Sequence, residues 1–327
     1  MIINGGTKMA LDVLIKKERN TFKRPVNKSN LRKKIMKHWQ LYLLLLPSIL
    51  CIIIFKYIPM YGVQIAFRDY NPNLGFSGSH WVGLKYFKDF FSSYQLPRLI
   101  FNTLSISIYS LLALLPIPVV LAISLNEARW KFFSKTVQTV TYAPYFISTV
   151  VLVSIIFQFL SPHGLLNNLL SLFGVSQVDV MANPNVFKAL YVWSGVWQQA
   201  GYYAVVYLAA LAGINTELYE AAWIDGASTL KKIIHIDLPG ILPTVIIILI
   251  LNTASILNVD YQKILLMQNQ LNMAVSDVIS TYVYRQGLIS VQYSYSAAIG
   301  LFNSVISMVL FYAVNYFSRK YSETSLW

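Results

Sequence analysis

The chain has 327 residues, of which 56% are apolar and only 12% charged, and its formal net charge is +13. Soluble proteins carry about 25% charged residues, so this composition excludes a soluble globular domain. The basic excess is concentrated: residues 1–40 hold eleven Lys or Arg against only Asp12 and Glu18. No base-stacking or groove-reading module accompanies it, so the arm reads as a positive-inside flank touching anionic lipid, not as a nucleic-acid binder.

The apolar residues fall in long uninterrupted blocks, and about 20 such residues cross a hydrocarbon core. Backbone polar groups at that depth need internal partners, and continuous apolar runs without strand alternation select helices over a barrel. Six spans are expected. The first is Leu41–Ile58, with Lys56 close enough to its end to reach the interface and Cys51 read as a small buried apolar side chain. The second is Leu99–Leu125, kinked by Pro116 and Pro118. The third is Thr136–Leu160 with Pro144 near its start, the fourth Ala189–Ala212, the fifth Ile241–Asn258 and the sixth Ala297–Phe317. The expected divisions are thus a basic arm over 1–40, the first span and its loop over 41–98, a core membrane region over 99–317 and a tail over 318–327. No leader-type cleavage pattern follows Ile58. With the amino terminus inside, the arm, loops 126–135 and 213–240 and the tail hold eighteen Lys or Arg, against about eight on the other side. Both termini are therefore expected in the cytoplasm. On the outer side, 165–174 has the stripe of a flat interfacial helix ending at Gly174. Asp260, Lys263, Asp277 and Arg285 fall in the last outer loop, either meeting an external partner or forming a solvated face.

The most informative segment lies between the fourth and fifth spans. Glu217 to Asp225 reads as a short helix with acidic residues near its start, where the dipole favours an anion. Gly226 can reverse the chain, Ser228 can cap a second short helix, and Pro239 is expected to end it before the fifth span. The result is a helix–turn–helix projecting from the membrane, a form suited to docking. The run Glu220-Ala221-Ala222-Trp223-Ile224-Asp225-Gly226, with its Ile-Asp-Leu-Pro ending, resembles the EAA loop of type I ABC importer permeases. The runs Trp81-Val82-Gly83-Leu84-Lys85-Tyr86-Phe87, Asn102-Thr103-Leu104 and Asp277-Val278-Ile279 are similar to the sugar branch of that family and its complex-polysaccharide and oligosaccharide subfamily. The resemblance covers nearly everything after residue 40.

It implies an all-α integral membrane protein with the six-helix type I (MetI-like) permease fold in a bacterial cytoplasmic membrane. It also implies a second homologous permease, two cytoplasmic ATPase subunits, an extracellular solute-binding protein and an oligosaccharide substrate. Glu220, Ala221, Ala222, Asp225 and Gly226 would then form the ATPase-coupling element. No phosphate-cradling loop is present, because Gly5-Gly6-Thr7-Lys8 has the wrong spacing. The four histidines lack metal-ligand spacing, so no catalytic or metal site is expected, and ATP and Mg belong on the partner. A sugar needs hydrogen-bond partners and flat apolar faces. The fourth span offers Trp193, Trp197, Gln198, Gln199, Tyr202, Tyr203 and Tyr207, with Trp193, Trp197 and Gln198 expected on one face. Asn252, Asn258, Asn303 and Asn315 are weaker candidates, with bonding between helices as their other role. The competing readings are a permease for a non-sugar solute, a secondary transporter and a membrane glycan enzyme. The last two need ionisable clusters that the spans do not show.

Overall fold

The computed structural model describes residues 36–322 except 175, 177, 178, 255 and 258. The basic arm up to residue 35 and the tail from 323 lie outside the described residues. The chain divides into two compact units, 1–62 and 63–327.

In the first unit, α1 (Trp39–Ile52) runs into a wide π turn at Ile53–Tyr57 and helical turns through Pro59. A π turn removes one residue from the i→i−4 ladder, which accommodates a proline that cannot donate. No residue of α1 is buried, and Cys51 is exposed, contrary to the buried side chain expected from its sequence. A helix that buries nothing within its own chain leaves even its small residues at the surface.

The second unit begins with a two-residue ribbon, β1 (Arg68–Asp69) paired antiparallel to β2 (His80–Trp81). Phe67 stacks on Trp81 at 5.6 Å, and its carbonyl accepts from the backbone N–H groups of Val82 and Gly83. The aromatic run thus seals a small knot that leads into α2 (Lys85–Phe91). Then come α3 (Leu96–Leu114) and α4 (Pro116–Glu127), joined at the expected proline kink.

The third expected span is interrupted. Following α5 (Lys131–Tyr142), a 3₁₀ turn at Ala143–Phe146 and extended Ile147 and Ser148 precede α6 (Thr149–Leu160). Pro144 cannot donate into the preceding turn, and Ser148 restarts the helix by accepting from the Val151 N–H. A short α7 (Leu165–Ser171) follows, close to the flat helix expected there.

Central to the unit is α8 (Pro184–Ala212), which packs against α3, α4, α5 and α11 (Leu238–Ala254). Gly201 permits the crossing with α5, because a β-carbon there would collide with the Thr141 carbonyl. Between α8 and α11 lie α9 (Thr216–Ile224) and α10 (Thr229–Lys232). The unit closes with α12 (Tyr261–Met267), α13 (Ile279–Tyr284) and the 30-residue α14 (Tyr293–Ser322). Among the described residues, five helical runs are long and apolar enough to cross a membrane: Trp39–Phe67, Leu96–Glu127, Thr149–Ser171, Thr229–Thr253 and Tyr293–Lys320. With 29 residues, α8 has the length for a sixth, while Gln198 and Gln199 make its middle polar.

Pro239 does not end a helix as expected. A second π turn, Ile233–Asp237, joins α10 to α11, so one continuous rod carries Pro239 just beyond the widened turn.

Candidate translocation cavity and docking loop

A cavity of ≈ 220 Å³ opens between α3 and α8 and is bounded by α11 and α12. Its polar lining comes from Ser107, Ser110, Gln198, Gln199, Asn252, Asp260 and Lys263. The interruption of the third span is tied to this wall through Gln198. Extended Ile147 leaves its carbonyl without a helical partner, and the Gln198 amide donates to it at 2.7 Å. Irregular backbone at membrane depth survives only when it is buried in protein or borders a cavity, and this bond satisfies that condition.

The expected single face of Trp193, Trp197 and Gln198 is not found. Gln198 lines the cavity, whereas both tryptophans are exposed and Trp193 Nε1 donates to Tyr109 Oη at 2.8 Å. Trp193 and Trp197 are four residues apart and share a stripe, while Gln198 is rotated about 100° from Trp197. Tyr202 stacks on Tyr145 at 4.3 Å, and Tyr203 Oη donates to Asn252 Oδ1 at 3.1 Å. Tyr207 is buried in the core. Among the weaker candidates, Asn303 reaches the Leu257 carbonyl at 3.4 Å and Asn315 is buried. Asn258 lies outside the described residues.

Lys263 and Asp277 are not the solvated face that their loop position suggested. Lys263 is only 4% exposed, and its Nζ donates to the Tyr191 carbonyl at 2.9 Å. Burial pushes its pKa down to about 8, with the Asp260 charge pulling the other way. Asp277 is fully buried and accepts from Arg285 at 2.6 Å and from Thr281 Oγ1 at 2.9 Å. Asn102 donates to the carbonyls of Ala274 and Asp277, both at 3.0 Å, and Thr103 Oγ1 accepts from Ile279 N. Two separate runs that carried the resemblance therefore bond directly to one another. Sequence reasoning singled out neither Tyr145 nor Ser107 and Ser110, whose residue types carry no signal without the fold.

The loop between α8 and α11 is a compact knuckle. The Asn215 side chain caps α9 by accepting from Glu217 N at 3.1 Å. Gly226 has φ +66°, and the bonds Ala227 N to Ala222 O and Gly226 N to Trp223 O form a Schellman ending. Ser228 occupies the expected N-cap position of α10, but its side chain makes no capping bond. Glu220, Ala221, Asp225 and Gly226 are exposed and Ala222 is half-buried. Trp223 is 82% exposed and Ile224 79%, and Leu230 beyond the turn is exposed too. Behind this surface Tyr219 Oη donates to the buried carboxylate of Asp237 at 2.5 Å, and Lys232 pairs with Glu127 at 3.8 Å. Burial, then the hydrogen bond to Asp237, raises the Tyr219 pKa.

A polar cavity among membrane helices, with a protruding knuckle on the same rods, defines a membrane permease subunit. Residues 115–323 match the family described as the binding-protein-dependent transport system inner membrane component, and the chain belongs to that family. It is 42% identical to Protein LplB of Bacillus subtilis over 88% of this chain and 90% of that one. It is 38% identical to the polygalacturonan/rhamnogalacturonan transport system permease protein YteP of the same organism, over 94% and 95%. Its fold superposes with a TM-score of 0.83 on a chain from the crystal structure of a bacterial ABC transporter that imports the acidic polysaccharide alginate. That match is at 40% identity and covers 90% of this chain and 99% of the other.

Proposed function

We propose that this chain forms one half of the translocation pathway of an ATP-driven importer for oligosaccharides. It pairs with a second, similar permease and is served by two cytoplasmic ATPase subunits, which hold the ATP and Mg, and by an external solute-binding protein. The observation that carries the reading is the rigid knuckle Thr216–Gly226, which leaves Trp223 and Ile224 exposed at a fixed turn. Exposed aromatic and aliphatic side chains on a rigid element suit insertion into a partner's groove. In this reading Glu220, Ala221, Ala222, Asp225 and Gly226 are the docking element. It faces the cytoplasm, as both termini do. Gln198, Tyr202, Tyr203 and Asn252, with Trp193 and Trp197 toward the second permease, line the sugar's path. The names of the relatives support the oligosaccharide, and the amides and tyrosines fit its hydroxyls and ring faces.

The test is ATP hydrolysis and uptake by the reconstituted complex with its binding protein and a panel of oligosaccharides. Glu220→Ala and Gly226→Val are expected to abolish binding-protein-stimulated uptake while the chain still inserts. Normal uptake in both variants, or an assembled complex without an ATPase, overturns the docking assignment.

A further inference from the structure

The cavity beside α8 holds a charged group almost sealed from the surface. Lys263 Nζ makes one hydrogen bond, to the Tyr191 carbonyl, and lies 4.6 Å from the centroid of the Tyr191 ring. An ammonium has three N–H donors, and among the described residues no carboxylate forms an ion pair with this one. Asp260 lines the same cavity, and its charge acts on the ammonium without closing an ion pair. Its Oδ1 caps α12 by accepting from the backbone N–H groups of Gln262 at 3.0 Å and Lys263 at 3.3 Å.

Gly195 supplies a second, independent observation. It sits inside a 29-residue helix, where glycine weakens the structure. A β-carbon at that position would come within 3.2 Å of Lys263 Nζ. The missing side chain therefore leaves the ammonium bare on its cavity side. The neutral polar side chains of Ser110, Gln198, Gln199 and Asn252 line the same space and suit neutral sugar hydroxyls. A buried ammonium instead calls for an anion, because a charge out of water is costly until it is paired.

We propose that the saccharide carried through this cavity is anionic, a uronate-type chain, and that Lys263 pairs with one of its carboxylates. This rests on the reading of the chain as an oligosaccharide permease. Lys263 is then a specificity residue in contact with substrate, and Gly195 the opening through which the carboxylate reaches it.

The experiment measures equilibrium binding to the complete permease–ATPase complex in nanodiscs without the binding protein, which removes that protein's own selectivity. The probes are trigalacturonate and its fully methyl-esterified form, which has the same rings and no charge. Wild type is expected to bind the acid at least about tenfold tighter than the ester. Lys263→Met is expected to lose about tenfold on the acid and less than about twofold on the ester, while Lys263→Arg stays within about threefold on the acid. Equal binding of acid and ester by wild type overturns the proposal, and that comparison needs no variant to fold. A Met variant that keeps full acid affinity, or weakens on both probes alike, also overturns it. If a neutral oligosaccharide binds and the acid does not, the anion fails while the permease reading stands. If no saccharide binds or stimulates ATP hydrolysis with the binding protein present, the oligosaccharide reading itself fails.

Discussion

The two ends of α8 treat polar and apolar groups in opposite ways. Next to its Pro184 end the polar groups are closed in on one another. Asn272 donates to the Met181 and Met267 carbonyls, and Asp277 is held by Arg285 and Thr281. Past its Ala212 end the apolar groups are open, with Trp223, Ile224 and Leu230 exposed on a knuckle whose turn is closed by its own backbone bonds. A closed polar rim needs nothing further to hold its shape. An open apolar knuckle is stable in shape but unfinished in contact. The first is a fixed polar frame, and the second is, in the proposed function, the handle for an ATPase.

The comparison breaks most sharply if the rim can lose its central ion pair without cost. Arg285→Met strands the fully buried Asp277 carboxylate, with Arg98 at 4.0 Å as its remaining cation. Unfolding in detergent is expected to show a loss of about 3 kcal/mol. The Asp277→Asn, Arg285→Met double variant should recover part of it, since no buried charge then remains. Gly201→Leu tests the frame at the crossing of α8 and α5, where the new side chain meets the Thr141 backbone and not a movable tip. It is expected to cost about 2 kcal/mol and to lower the yield of folded chain in size-exclusion chromatography. A rise in stability in either variant would mean that the rim is not the rigid part.

Much of this division is legible in the sequence. The spans declare themselves by apolar length, and the knuckle by Glu217, Gly226 and Ser228 at fixed offsets, because caps and left-handed turns are local. Three features are not local and were misread. Pro144 reads as a feature within a continuous third span, but the break falls at Ile147 and Ser148, where Gln198 from another helix satisfies the freed carbonyl. Pro239 was expected to stop a helix, yet a π turn ahead of it lets the rod continue. Lys263 falls in an expected outer loop, which reads as a place for a surface charge, while its burial comes from Tyr191 and Gly195 on α8. Propensity describes a residue's own turn; it is silent about what arrives from elsewhere.

The knuckle can be sharpened from behind. Tyr219→Phe removes the hydroxyl that donates to Asp237, whose Oδ2 has no partner among the described residues. A hydrogen bond to a charged group contributes about 1.5 kcal/mol. The loss should loosen α9 against the π turn without altering the exposed docking surface. Insertion and ATPase copurification are expected to persist, while substrate-stimulated hydrolysis falls relative to the basal rate. An unchanged ratio would place the stiffness of the handle in the Schellman turn alone.

The smallest expected effect concerns the cavity and turns on a sign. Lys263 titrates near about 8, below its ordinary 10.5, because burial disfavours the ammonium. Between pH 7 and 8.5 the charged fraction falls about fourfold, so trigalacturonate should bind wild type about fourfold more weakly at the higher pH. The methyl ester should not change. The other titratable groups lining the cavity are Asp260 and the Tyr191 phenol. A bound carboxylate would move the lysine's own titration upward. Stability runs the other way. The unfolded lysine holds its proton to higher pH than the folded one, so this group favours folding increasingly as pH rises from about 8 toward 10.5. Opposite trends in acid binding and stability over the same window would tie both to one buried ammonium. Parallel loss of both would point to general weakening of the fold.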